Sequence, residues 1–137
     1  MADKNYYAVM LIDDNEIDNL INQKMIEASG ICEKIYLHAG AKSAIEFLKN
    51  LEKIIDDIDK NVLPSVIFLD IDMPLMDGFQ FLEQFNTLSA RTREYCQIVM
   101  LTSSINPQDV NKAKKYDFVK KYLNKPLTQN MLQGLEV

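Results

Sequence analysis

The sequence predicts an α/β protein built as a doubly wound sheet of five parallel strands. Two observations carry this. Apolar runs rich in strand-forming residues recur along the chain, and the clearest, Val66-Ile67-Phe68-Leu69, has no polar alternation. A run of that kind suits a strand buried on both faces, as in the middle of a parallel sheet. Each run is followed by apolar residues at helical spacing, so that strand and helix alternate five times. That order is the pattern of a parallel sheet with crossover helices.

The elements follow in chain order. Tyr7 to Ile12 is the first strand, and it ends in Asp13-Asp14-Asn15. The helix after it carries an apolar stripe of Ile17, Leu20, Ile21, Met25 and Ala28. Gly30 stands where a helix C-terminal cap belongs. Lys34 to Leu37 forms a short second strand, and Ala41, Ala44, Ile45 and Leu48 mark the second helix. Ile55 and Ile58 continue that stripe, so the charged segment from Asn50 to Asn61 reads as a helix extension rather than a linker. The third strand runs from Val66 to Leu69 and delivers Asp70 to the rim of the sheet. Met73-Pro74 blocks an immediate helix, because a residue before proline is pushed out of the helical region. Asp77-Gly78 turns the chain, and Phe79, Leu82 and Phe85 resume at helical spacing to about Leu88. Arg91-Thr92-Arg93-Glu94 reads as a polar connection. Gln97 to Leu101 is the fourth strand, ending in Thr102-Ser103-Ser104. Asn106-Pro107 starts the fourth helix, with asparagine as cap and proline in the first turn, and it runs to about Lys115. Phe118 to Leu123 is the fifth strand, ending in Asn124-Lys125-Pro126, and Thr128 caps a short last helix with Met131, Leu132 and Leu135.

A chain of 137 residues is expected to form one domain, burying roughly two-thirds of its unfolded surface. No repeat or break in composition divides it, and the last helix ends with the chain, so residues 1–137 read as a single domain with no output domain. The net charge of −5 disfavours non-specific binding to nucleic acid. The N-terminus has no apolar core of the signal-peptide kind, and no run reaches the length of a membrane span. Cys32 and Cys96 lack metal or redox spacing and read as small buried thiols of a reducing compartment. The expected location is the cytoplasm.

Four strands end in polar residues of particular types, at Asp13-Asp14, Asp70, Thr102 and Lys125. In a parallel sheet all four sets lie along one edge, the edge at which open α/β sheets bind ligands. Carboxylates held together there repel one another unless protons or a cation neutralise them. An all-oxygen site short of a full cage suits Mg²⁺. A carboxylate also serves as a nucleophile toward phosphorus, giving an acyl phosphate. Lys125 supplies a point charge and Thr102 a hydroxyl for the phosphoryl oxygens. Every group required for phosphoryl transfer to Asp70 is therefore present. Asp77 reads as a turn residue and His38, the only histidine, as a surface or turn residue. Lys112, Lys114, Lys115, Lys120 and Lys121 read as a solvated face, with Lys125 set apart by its place at a strand end.

Ile12-Asp13-Asp14-Asn15, Leu69-Asp70-Ile71-Asp72-Met73-Pro74-Leu75-Met76-Asp77-Gly78, Leu101-Thr102-Ser103 and Lys125-Pro126 together resemble the signature of response-regulator receiver domains, from Val9 to the C-terminus. The resemblance implies a flavodoxin-like fold with strand order 2-1-3-4-5. It implies a regulatory phosphoacceptor rather than an enzyme acting on other molecules, with Asp70 phosphorylated by a histidine kinase or histidine phosphotransfer protein. Asp13, Asp14, Asp70 and the backbone carbonyl of Asp72 would hold Mg²⁺, and Thr102 and Lys125 would contact the phosphoryl oxygens. Tyr122 falls at the aromatic switch position, and Lys125-Pro126 at a bond often cis in this family. The implied output is a protein target, met by the fourth helix, fifth strand and last helix, without direct DNA binding.

Two rival families share parts of this pattern. Asp70-Ile71-Asp72 with Thr102 is similar to haloacid-dehalogenase-type phosphatases, but those place their last metal-binding acids after the lysine, where only Glu136 follows here. A flavin-binding flavodoxin is disfavoured by the acidic loop after the first strand, which would repel a phosphate. A receiver-like docking module that never carries phosphate would not need the intact set of acceptor, acids, threonine and lysine.

Overall fold

The computed structural model describes residues 6–54, 62–71, 78–103 and 105–135. Five strands, β1 (Tyr6–Ile12), β2 (Cys32–His38), β3 (Val66–Asp70), β4 (Gln97–Thr102) and β5 (Val119–Asn124), form one sheet in the order β2-β1-β3-β4-β5. All four pairings are parallel. The helices are α1 (Glu16–Ser29), α2 (Ala41–Ile54), α3 (Gly78–Phe85), α4 (Ala90–Tyr95), α5 (Pro107–Ala113) and α6 (Gln129–Gln133).

Strand alternation sorts the core into two layers. Met10, Ile12, Ile67, Leu69, Ile98 and Met100 pack toward α2 and α3. Val9, Leu11, Val66, Phe68, Val99 and Leu101 pack toward α1 and α6. The whole of β3 is buried, as an uninterrupted apolar run at the centre of a parallel sheet requires. Gly30 ends α1 in the left-handed region (φ 69°), and Asn15, Asn106 and Thr128 cap their helices through side-chain oxygens. Cys32 and Cys96 are buried and are not joined in a disulfide.

Two expectations are corrected. Arg91 to Glu94 is not a connection but part of α4, capped by Ser89. Thr92 of that helix is buried and, with the Ser89 N–H, donates to Glu52 of α2 (3.2 and 2.8 Å). Tertiary hydrogen bonds, not an apolar stripe, hold this helix in place. On α1 the expected stripe is largely outside: Ile17, Leu20 and Ile21 are exposed, while the buried residues are Asn22 and Ile26. The second helix is described to Ile54, and the extension expected to Asn61 lies outside the described residues from position 55 onward.

Gly78 opens α3 against the end of β3. Its N–H donates to the Ile71 carbonyl (3.1 Å), and a Cβ there would stand 2.7 Å from Ile71 Cα and 3.1 Å from the Asp70 carbonyl oxygen. Helix propensity alone favours alanine over glycine by about 1 kcal/mol. The backbone collision reverses the sign, and overpacking of this kind costs about 1–3 kcal/mol. Gly78→Ala is expected to lower the melting temperature by several degrees; a rise would show that α3 can move off β3.

Candidate functional site

The sheet edge at the C-terminal ends of the strands is assembled by register. Ile12 pairs with Leu69, which sets Asp13 and Asp70 side by side as the next residues out. Asp70 pairs with Leu101, and Thr102 with Asn124. The Lys125 N–H then donates to the Thr102 carbonyl (2.8 Å), tying the lysine to the end of β4. The Lys125-Pro126 bond is cis.

Asp13, Asp14 and Asp70 bring carboxylate oxygens within 4.8 Å of one another. Asp13 and Asp70 are buried and Asp14 is exposed, so the cluster is open on one side. Lys125 reaches into it. Its Nζ is 3.1 Å from Asp13 Oδ2, 3.0 Å from Asp18 Oδ2 and 3.5 Å from Asp70 Oδ1. Burial alone would lower the pKa of Lys125, but the hydrogen bond to Asp18 and the charges of Asp70 and Asp13 more than reverse this, and the net shift is upward. The lysine is held as a cation among acids that would otherwise repel one another.

Thr102 is buried at the end of β4. It continues the face of Met100, whose neighbour across the ladder is Tyr122, and Tyr122 is half-buried against the same layer of the core. A cavity of about 210 Å³ lies beside it, lined in part by Val110, Ala113, Val119 and Lys121. His38, half-buried at the end of β2, turns away to Ser43 Oγ (2.8 Å) and the Phe47 ring, and burial lowers its pKa. Asp72 and Asp77 lie outside the described residues.

Three polar residues of α1 belong to this edge and are missed by a reading for apolar periodicity. Asp18 binds Lys125. Asn19 Nδ2 donates to the carbonyls of Asp13 and His38 (2.8 and 3.4 Å). Asn22 Oδ1 accepts the N–H of Leu127 (2.9 Å). Backbone groups in loops around the site need partners, and α1 supplies them, which is why it buries asparagine and exposes isoleucine. The available signal is a polar stripe at positions 15, 18, 19 and 22, with helical spacing on the far side from Ile17 and Ile21.

The sequence model of the response regulator receiver domain matches residues 9–135. The chain belongs to the response-regulator receiver family. A two-component response regulator from Cytophaga hutchinsonii has a similar structure, with a TM-score of 0.83, 31% identity and coverage of 95% of this chain and 93% of that one. The probable methanogenesis regulatory protein FilR2 of Methanothrix harundinacea is 27% identical over 122 residues, 89% of this chain and 74% of that protein. The sensory/regulatory protein RpfC of Xanthomonas campestris is 22% identical over 119 residues, and the match spans only 14% of its length.

Receiver domains are regulatory phosphoacceptors of two-component signalling, phosphorylated on aspartate by histidine kinases or phosphotransfer proteins. They bind Mg²⁺ through a cluster of aspartates, and this receiver brings Asp13, Asp14 and Asp70 together. No helix among the described residues is long and apolar enough to cross a membrane.

Proposed function

We propose that Asp70 takes a phosphoryl group from a phosphohistidine of a histidine kinase or histidine phosphotransfer protein, and that this receiver then changes its protein-binding surface. The observation that carries the reading is the convergence of Asp13, Asp14, Asp70 and Lys125 on one sheet edge. One carboxylate oxygen of Asp70 attacks phosphorus. A P–O bond forms as the P–N bond to the donor imidazole breaks, and the electron pair leaves with the imidazole nitrogen, which is protonated. Lys125 and the Thr102 hydroxyl meet the phosphoryl oxygens, and attack of water on phosphorus later restores the carboxylate.

The donor set fits Mg²⁺, since it is all oxygen, acidic and open on the side of Asp14. Asp13, Asp14 and Asp70 would hold the ion with the backbone carbonyl of Asp72. When bound, it neutralises the clustered carboxylates and the phosphoryl oxygens. The setting is the cytoplasm and the output a protein target on the α5–β5–α6 face, not DNA, in keeping with a net charge of −5.

Wild-type protein given Mg²⁺ and a small phosphodonor is expected to gain the mass of one phosphoryl group. Mg²⁺ alone should raise its melting temperature, because a ligand at roughly a hundred times its Kd adds about 2.7 kcal/mol. Asp14→Ala should lose both effects. A Mg²⁺-dependent thermal shift that survives in Asp14→Ala places the metal elsewhere, and a wild type that gains no mass sinks the function.

A further inference from the structure

Lys125 has a third acid besides the two buried ones. Asp18, in the first turn of α1, makes the shortest of its three contacts, at 3.0 Å, and stands outside the Asp13, Asp14 and Asp70 cluster. We propose that Asp18 is a resting-state latch for Lys125: a positioning residue that competes with the phosphoryl group for the ammonium and so limits how fast Asp70 is phosphorylated. This rests on the reading of Asp70 as acceptor and Lys125 as its phosphoryl contact.

The three acids differ in how easily they release the lysine. The side chain of Asp13 is fully buried and that of Asp70 is 3% exposed, so water does not replace an ammonium there without rearrangement. The Asp18 side chain is 37% exposed, and its carboxylate rehydrates when the lysine leaves. Asp18 is also a fixed partner. Its own N–H is capped by Asn15 Oδ1 (3.0 Å), and a carboxylate in a first helical turn is favoured by the helix dipole.

The loop gives the lysine side chain freedom without freeing its backbone. The N–H of Lys125 is bound to the Thr102 carbonyl, and that of Leu127 to Asn22 Oδ1 one turn along α1 from Asp18. Both flanks of the lysine are pinned independently of Asp18. A cavity of about 370 Å³, lined by Asp18, Ile21, Asn22, Ser103, Lys125 and Pro126, leaves room for the side chain to swing. A new phosphoryl group brings up to two negative charges and three acceptor oxygens to Asp70. The ammonium has three N–H donors, and in the resting state Asp13 and Asp18 already engage it. That leaves one donor for Asp70, 3.5 Å away, and a phosphoryl group that takes a second must draw it from a carboxylate, of which Asp18 is the one that yields.

The test compares wild type, Asp18→Asn and Asp18→Glu at limiting phosphodonor with saturating Mg²⁺, following uptake by intact mass. Losing a charge-assisted hydrogen bond of this partly exposed kind should raise the initial rate of Asp18→Asn roughly three- to tenfold. Asp18→Glu keeps the charge and should stay near wild type. The resting contact is read separately from the ¹⁵N signal of the Lys125 ammonium, which should move in Asp18→Asn and, in wild type, on phosphorylation. Uptake by Asp18→Asn at or below the wild-type rate overturns the latch. So does faster uptake with an unmoved ammonium signal, since the aspartate then acts by repelling phosphate directly. A wild type that takes no phosphoryl group overturns the parent reading and the latch with it, whereas a phosphorylated wild type matched by Asp18→Asn overturns the latch alone.

Discussion

Asp70→Asn protein incubated with Mg²⁺ and a small phosphodonor should show no gain in mass under conditions that phosphorylate wild type fully. The amide is nearly the shape of the carboxylate, but its oxygen is not an anionic nucleophile and its nitrogen offers no lone pair of comparable reactivity. The loss is expected to be complete rather than partial. Misfolding is not an alternative explanation, and the geometry says why. Asp70 shares its cluster with Asp13 and Asp14 within 4.8 Å, so removing one of three like charges relieves repulsion when no metal is present. Lys125 keeps its two shorter contacts, to Asp13 and Asp18. Without Mg²⁺ the variant should therefore melt at or above the wild-type temperature, and the rise produced by Mg²⁺ should shrink. A phosphorylated Asp70→Asn protein, formed at the wild-type rate, would assign the acceptor to another residue.

The strands and their polar ends were legible in the sequence because a buried parallel strand leaves no alternation to misread. Val66 to Leu69 is such a run, and its burial and central place follow directly. Asp13, Asp70 and Thr102 were legible for the same reason, since each is the first polar residue beyond an apolar strand, whereas Lys125 follows a strand that itself carries Lys120 and Lys121 and was legible by its place at the strand end. Helices were harder to read wherever polar contacts decide the packing. On α1 the isoleucines at 17 and 21 look like a core face, yet Asn19 and Asn22 face inward to satisfy loop backbone. Asp18 was hidden likewise, because its significance depends on a lysine 107 positions away. Short α4 carries no apolar period, and its anchor is Glu52 on another helix. Apolar periodicity reports burial against a core; it is silent about a helix that is docked by hydrogen bonds.

Thr102→Ala is expected to separate phosphorylation from output. The proposed acceptor, the acids proposed to hold Mg²⁺ and Lys125 are untouched in this variant, so Asp70 should still gain a phosphoryl group. What it lacks is the hydroxyl that would follow the new acceptor oxygens. In wild type, drawing Thr102 toward Asp70 would open space on the face of β4 that it shares with Met100. Tyr122 lies across the ladder from Met100, half-buried on that face, with a cavity of about 210 Å³ beside it toward α5. The tyrosine ring suits an inward move because it can be buried while its hydroxyl seeks a polar partner. That move would reshape the groove between α5 and β5, where Lys114, Lys120 and Lys121 line the same cavity. Allosteric coupling is typically about 1–3 kcal/mol, so phosphorylation of wild type should change affinity for a partner on this face by roughly five- to 150-fold. In Thr102→Ala the change should fall below about twofold, a coupling smaller than the usual range, and Tyr122→Ala should behave in the same way. The measurement is partner affinity with and without phosphate, for wild type and both variants. A phosphorylated Thr102→Ala protein that responds as fully as wild type would show that the signal leaves Asp70 by another route, with Tyr122 merely packing against the core.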